Sequence, residues 1–202
     1  MNGPVTMKNI VFDLGGVLFA RRRSDCTQDF IDFFAFIRQE EIPHFWVEYD
    51  RGTATLDEVT EELCRRTGCD RTKCEAYLRT AIDLQRPVEA TERLIGDLKQ
   101  AGYKLYVLSN MSCEFIDFLR RFPVYRKFDG EVVSCEEHTV KPEPRIFQIL
   151  LERYGLQPDE TLFIDDRRAN IEAAEAMGIH GQLFDSHDPE GACQAIRNRL
   201  SL

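Results

Sequence analysis

KNIVFDLGGVLF, residues 8–19, runs through a short apolar stretch, ends it on Asp13 and follows with the pair Gly15-Gly16. An apolar run closed by an acid and glycines reads as a buried strand entering a tight loop. Later segments have the same form: KLYVL (104–108) ends in Ser109-Asn110, GEVVS (130–134) follows, TLFI (161–164) ends in Asp165-Asp166, and HGQLF (180–184) is a weaker fifth. Helical patterns lie between them. Pro87 to Ala101 puts Leu94, Ile95 and Leu98 on one face and stops at Gly102. Pro142 to Tyr154 carries Ile146, Phe147, Leu150 and Leu151 and stops at Gly155, and an Ala-rich helix from Asn170 to Met177 stops at Gly178. This alternation predicts an α/β fold, a parallel sheet covered by helices on both faces.

About 70 residues after the first strand break the alternation. A structureless loop of that length is implausible in a compact chain. Asp25 to Glu40 carries an apolar stripe of Phe30, Phe33, Phe34 and Ile37. Thr55-Leu56-Asp57-Glu58 is a capping box leading to Val59, Leu63 and Cys64, with Gly68 as the stop. A small helical subdomain inserted after the first strand is therefore expected.

The 202 residues suffice for one domain with such a subdomain, and a core can form without cross-links. Apolar residues at 43% exclude whole-chain disorder and a low-complexity polymer. With 35 acids against 26 Lys and Arg, the net charge is -9, which disfavours nucleic acid as a partner. No stretch approaches the ~18 apolar residues of a membrane span. MNGPVTM lacks a charged-then-apolar leader, so the expected location is the cytoplasm, away from membranes. Seven cysteines without a CxxC pair, three of them five residues apart at Cys64, Cys69 and Cys74, fit reduced structural thiols rather than zinc.

Open α/β sheets bind ligands at the carboxyl ends of their strands. Here those ends carry Asp13, then Ser109 and Asn110, then Lys141 in the loop after the third strand, then Asp165 and Asp166. Each alone has an ordinary structural explanation as a turn former, a cap or a solvated residue. Their joint arrangement at one sheet edge is far more specific. Carboxylates brought together are oxygen ligands for a hard cation such as magnesium. A hydroxyl, an amide and an ammonium suit a phosphoryl group. Donors and a metal around one carboxylate describe phosphoryl transfer to Asp13.

At these residues the sequence resembles the haloacid dehalogenase-like (HAD) superfamily of hydrolases. Four motifs occur in order: FDLGGVLF (Phe12–Phe19), VLSN (Val107–Asn110), VKPEPRIF (Val140–Phe147) and FIDDRRANIEAA (Phe163–Ala174). The resemblance implies a Rossmann-like core over residues 1–19 and 87–202 and a C1-type helical cap over 20–86. It also implies roles. Asp13 would be the nucleophile that forms an aspartyl-phosphate. Magnesium would be held by Asp13, the Gly15 carbonyl and a fourth-motif acid, with Asp165 aligning best and Asp166 as a direct or water-bridged alternative. Ser109, Asn110 and Lys141 would bind phosphate, and Asn170 would steady the site.

One position departs from the family pattern. Most family phosphatases carry a second Asp two residues after the nucleophile, as general acid and base, and here Gly15 stands there. Loss of such help costs ~10²–10⁴ in rate. The DLGG form resembles a subgroup related to sugar-1-phosphate phosphatases and, less closely, the phosphatase domain of bifunctional epoxide hydrolases.

The expected function is magnesium-dependent hydrolysis of a small phosphorylated metabolite, such as a sugar phosphate. The competing readings are a catalytically weak module that binds a phosphorylated ligand and, behind it, a metal-free 2-haloacid dehalogenase. Arg21-Arg22-Arg23 reads as a solvated linker or an anion attractor. His44, Phe45, Trp46 and Tyr49 read as packing or as a substrate platform. His138, three residues before Lys141, is a candidate acid, and Asp29 and Asp32 are placed on a solvent face.

Overall fold

A computed structural model describes residues 7–39 and 41–202. Residues 1–6, at the start of the expected core range, and Glu40, the expected end of the first insert helix, lie outside the described residues. The chain enters through β1 (Asn9–Phe12) and leaves along a short strand, β2 (Phe19–Ala20). It then forms α1 (Gln28–Phe33), α2 (His44–Arg51), α3 (Leu56–Thr67) and α4 (Arg71–Asp83) and returns on β3 (Arg86–Pro87), antiparallel to β2. The rest alternates through α5 (Glu89–Gln100), β4 (Lys104–Ser109), α6 (Cys113–Leu119), β5 (Gly130–Val133), α7 (Ser134–Glu137) and α8 (Pro144–Tyr154). It closes with β6 (Thr161–Asp165), α9 (Arg168–Ala176), β7 (His180–Leu183) and α10 (Pro189–Leu200).

The main sheet is parallel throughout, in the order β5-β4-β1-β6-β7. Successive side chains of a strand face opposite sides, so a doubly covered strand feeds two cores. Ile10 and Phe12 join Leu94, Ile95 and Leu98 of α5 and Ile196 of α10 on one side. Val11 faces the other side, with Ile146, Phe147 and Leu150 of α8 and Ile171 of α9. This is an α/β, Rossmann-like architecture. Burying each such side chain contributes about 1.5–3 kcal/mol.

The helices between β2 and β3 have an apolar cluster of their own, built on Phe30, Phe33, Phe34, Trp46, Leu63 and Leu78. Phe115 of α6 enters this cluster and ties it to the sheet's helical layer. The expected single helix from Asp25 to Glu40 is broken. It ends at Phe33, and a 3₁₀ turn covers Ala35–Arg38. Adjacent Phe33 and Phe34 are both buried, and the tighter turn then aims Phe36 at Phe45 and Trp46. Two other helices start later than expected. Pro87 pairs with Phe19 in the ribbon, and α8 begins at Pro144, after a turn in which Glu143 N–H donates to the Val140 carbonyl at 2.8 Å. No helix among the described residues is long and apolar enough to cross a membrane.

Candidate active site

β1 is central, and the connections from it run to β4 on one side and eventually to β6 on the other. The crevice at such a switch point is where open α/β sheets place ligands. Asp13 leaves β1 there, with its N–H donating to the Ile164 carbonyl at 2.9 Å, and it is largely buried. Its Oδ1 takes three donors: Leu14 N–H at 2.7 Å, Ser109 Oγ–H at 2.8 Å and the Lys141 ammonium at 2.9 Å. Among the described residues no donor pairs with Oδ2. One oxygen is thus fixed while the other is left for chemistry.

Lys141 is buried in the loop before α8, and its peptide to Pro142 is cis. Its ammonium also reaches Asp165 Oδ2 at 2.7 Å and the Leu108 carbonyl at 2.9 Å, which uses all three protons. Burial opposes its charge, but the carboxylates of Asp13 and Asp165 outweigh that and raise its pKa above the ordinary lysine value.

Asp165 is fully buried and its oxygens are already engaged. Oδ1 accepts Arg167 N–H at 2.7 Å, and Asn170 Nδ2 donates to both oxygens, at 3.1 and 3.0 Å. Of the two expected fourth-motif ligands, Asp165 holds Lys141, whereas Asp166 is half-buried and turned toward the first loop. A Cβ at Gly16, whose φ is 76°, would lie 2.3 Å from Asp166 Oδ2, so only glycine lets that carboxylate lie against the loop. Oxygens of Asp13, Asp165 and Asp166 all lie within 4.8 Å of one another. Burial, then the charges of Asp13 and Asp165, push the Asp166 carboxyl up to about 7. Three carboxylates beside one ammonium leave surplus negative charge, which is the donor set a hard divalent cation takes.

Asn110 bonds the main chain of Lys141. Its side chain accepts Lys141 N–H at 2.7 Å and donates to the Lys141 carbonyl at 2.8 Å. Both ends of the amide hold the lysine's main chain. Ser109 is fully buried with its hydroxyl on Asp13, and Asn170 lies against Asp165. The other candidates lie elsewhere. His138 is exposed, with Nδ1 3.2 Å from the Arg51 carbonyl. Trp46 and Tyr49 pack in the insert, where Tyr49 donates to Glu114 at 2.8 Å, and the exposed His44 lies near Glu48. Arg21 lies over the Phe30 ring, Arg22 pairs with Glu89, and Arg23 donates to Gln28. Asp29 and Asp32 are exposed.

The structure adds one residue that the sequence did not single out. Asp50, in the last turn of α2, is half-buried, and its carbonyl accepts from Ser134 Oγ. Burial, then the charge of Asp13, pushes its carboxyl up to about 7, against Arg167 and Lys141. Nothing in its local sequence marks it, because its placement depends on how the insert packs. Arg167 forms a second link, donating to the Ile37 carbonyl of the insert at 2.7 Å.

The family model of haloacid dehalogenase-like hydrolases matches residues 7–178. The sesquiterpene phosphatase astK of Aspergillus oryzae is 29% identical over 90% of this chain and 92% of its own length. Acyl-CoA dehydrogenase family member 10 of Mus musculus is 30% identical over 98% of this chain, which spans only 20% of that longer protein. A solved HAD family enzyme of Bacteroides thetaiotaomicron, in complex with magnesium and inorganic phosphate, is 26% identical. It superposes with a TM-score of 0.69 over 89% of this chain and 95% of that one.

Proposed function

Because the chain belongs to the haloacid dehalogenase-like hydrolases, we propose that it is a magnesium-dependent phosphomonoesterase that forms an aspartyl-phosphate on Asp13. The observation that carries this is the held carboxylate: three donors on Asp13 Oδ1 and two further carboxylates within 4.8 Å. The astK phosphatase and the Bacteroides enzyme's magnesium and phosphate support the same reading.

Magnesium would be held by Asp13, the Gly15 carbonyl and Asp166, where it would offset the clustered charge and polarise a phosphoryl oxygen. The Leu14 N–H, the Ser109 hydroxyl and the Lys141 ammonium orient Asp13 through one oxygen. Asn110 and Asp165 fix Lys141 from its main chain and its ammonium, and Asn170 fixes Asp165. The helical insert acts as a cap that shields the site, which selects a small phosphorylated metabolite, a sugar phosphate among them. A metal-free dehalogenase would leave the Asp166 charge without a counterion. Binding without turnover is favoured by one observation, the missing acid at Gly15.

Phosphate release from a panel of small phosphate esters tests the reading, with magnesium, with a chelator and with Asp13→Asn. Turnover that requires both magnesium and Asp13 is expected. Tight ester binding with no release would replace the enzyme by a binding module.

A further inference from the structure

We propose that Arg51 of the helical insert and Glu143 of the core are positioning residues for Lys141, so that seating the insert on the core completes the loop that presents the lysine to Asp13; the proposal rests on the phosphatase reading above. The Lys141 ammonium reaches Asp13 Oδ1 at 2.9 Å, Asp165 Oδ2 at 2.7 Å and the Leu108 carbonyl at 2.9 Å. Three bonds to three fixed partners leave little freedom in where its main chain can lie, and a misplacement of about 1 Å is costly in rate.

That main chain is held from both sides. Asn110 bonds the Lys141 N–H and carbonyl from the second motif. From the other side the loop closes on Glu143. Its Oε2 accepts the Thr139 hydroxyl at 2.7 Å and the Val140 N–H at 3.3 Å, and its own N–H donates to the Val140 carbonyl at 2.8 Å. One carboxylate, two residues after Lys141, thus gathers the two residues before it.

The Glu143 carboxylate is in turn gripped by the insert. Arg51, the last residue of α2, forks onto it, with Nη1 2.9 Å from Oε2 and Nη2 2.7 Å from Oε1. The Arg51 carbonyl lies 3.2 Å from Nδ1 of His138, just before the same loop. The origin of the fork is itself fixed. Ser134 Oγ donates to the Asp50 carbonyl, and a Cβ on Gly52 would lie 2.5 Å from the Cys135 carbonyl oxygen, so the end of α2 rests directly on α7.

An exposed ion pair adds little by itself. This one differs in its geometry and in what it holds. A bidentate fork fixes the plane of a carboxylate as well as its position. The oxygen that Arg51 Nη1 meets is the one that accepts from Thr139 and Val140. The neighbouring pairs Arg153–Glu137 and Arg145–Glu152 instead hold α8 to α7 and α8 to itself. A chain of bonds therefore runs from Arg51 through Glu143 and its loop to Lys141, and from there to Asp13.

The test measures turnover of p-nitrophenyl phosphate with magnesium, per folded molecule, with the urea midpoint of each variant as the control for folding. Arg51→Ala and Glu143→Ala should each lower kcat by ~10–10²-fold with KM little changed. Arg51→Lys, which keeps the charge but not the fork, should recover only part of the loss. Glu48→Gln, which replaces the carboxylate 3.2 Å from Arg51 Nε, should leave kcat unchanged. A residue that acts through Lys141 has nothing to act on once the lysine is gone, so adding Arg51→Ala to Lys141→Met should cost no further rate. If Lys141→Met does not fold or turn over, Glu143→Ala serves as the background, with the same expectation. Unchanged kcat in Arg51→Ala and Glu143→Ala, or a full further loss in the background variant, overturns the positioning role while the phosphatase reading stands. Absence of Asp13-dependent turnover by the unsubstituted protein overturns both.

Discussion

At the strand ends, Asp13, Ser109, Lys141 and Asp165 are buried and bonded to one another, so their polarity is satisfied internally. In the helical insert the buried side chains are almost all aromatic or aliphatic, and the carboxylates face solvent wholly or in part. The first region is organised by hydrogen bonds around a reaction and the second by packing. Asp50 stands out because it belongs to the second region, yet burial and then the charge of Asp13 in the first push its carboxyl up. Substitutions at the strand ends should therefore change rate more than stability, and those inside the insert should do the reverse.

The largest effect is expected from Asp13→Asn. Turnover should fall by ~10⁴-fold or more, the scale on which removal of a nucleophile acts. The urea midpoint should move little, since the amide keeps the shape and still accepts from Leu14 and Ser109. Leu63→Ala, at a fully buried site in the insert, should cost about 2–5 kcal/mol in urea unfolding. Turnover of p-nitrophenyl phosphate per folded molecule should stay close to the unsubstituted value. A folded Leu63→Ala protein without Asp13 chemistry would break the division between the regions.

Much of the strand-end region is legible in the sequence because its geometry is local. Asp13 and Asp165-Asp166 each follow an apolar run, and a parallel sheet carries all such ends to one edge. The pairing of Asn110 with the main chain of Lys141, 31 residues away, is not legible, because no local pattern encodes it. Asp165 and Asp166 are adjacent, so only the structure separates the carboxylate taken by Lys141 from the one lying against Gly16. In the insert the apolar stripe is visible, but consecutive buried phenylalanines hide the break after Phe33. Asp50 follows from the docking of α2 on α7, which is a tertiary fact.

A paired substitution sharpens the comparison on a smaller scale. Gly16→Ala forces a side chain onto positive φ and into Asp166. It should cost about 1–3 kcal/mol and weaken magnesium binding, measured by titration of the metal-free protein. Gly15→Ala, two residues after Asp13, should stay within ~0.5 kcal/mol. The smallest effect is in pH dependence. In chelated protein the Asp50 and Asp166 carboxyls sit at about 7, against an ordinary 3.8. The folded chain then keeps protons that the unfolded chain loses between pH ~4 and ~7, so this contribution to stability falls as pH rises through that window. Glu143, drawn down to about 2 chiefly by its hydrogen bond from Arg51, acts oppositely: its contribution is present above the ordinary value of 4.5 and is lost as pH falls toward 2. Urea midpoints at pH 5 and pH 7 for Asp50→Asn and Asp166→Asn should each show a shallower decline than the unsubstituted protein. They separate the insert's share from the core's.

The most direct test of Asp13 as nucleophile is the intact mass of acid-quenched protein during turnover of p-nitrophenyl phosphate with magnesium. An adduct of one phosphoryl group is expected, found after digestion on the peptide that carries Asp13 and absent in Asp13→Asn. Sustained turnover by Asp13→Asn, or an adduct on another residue, would contradict it.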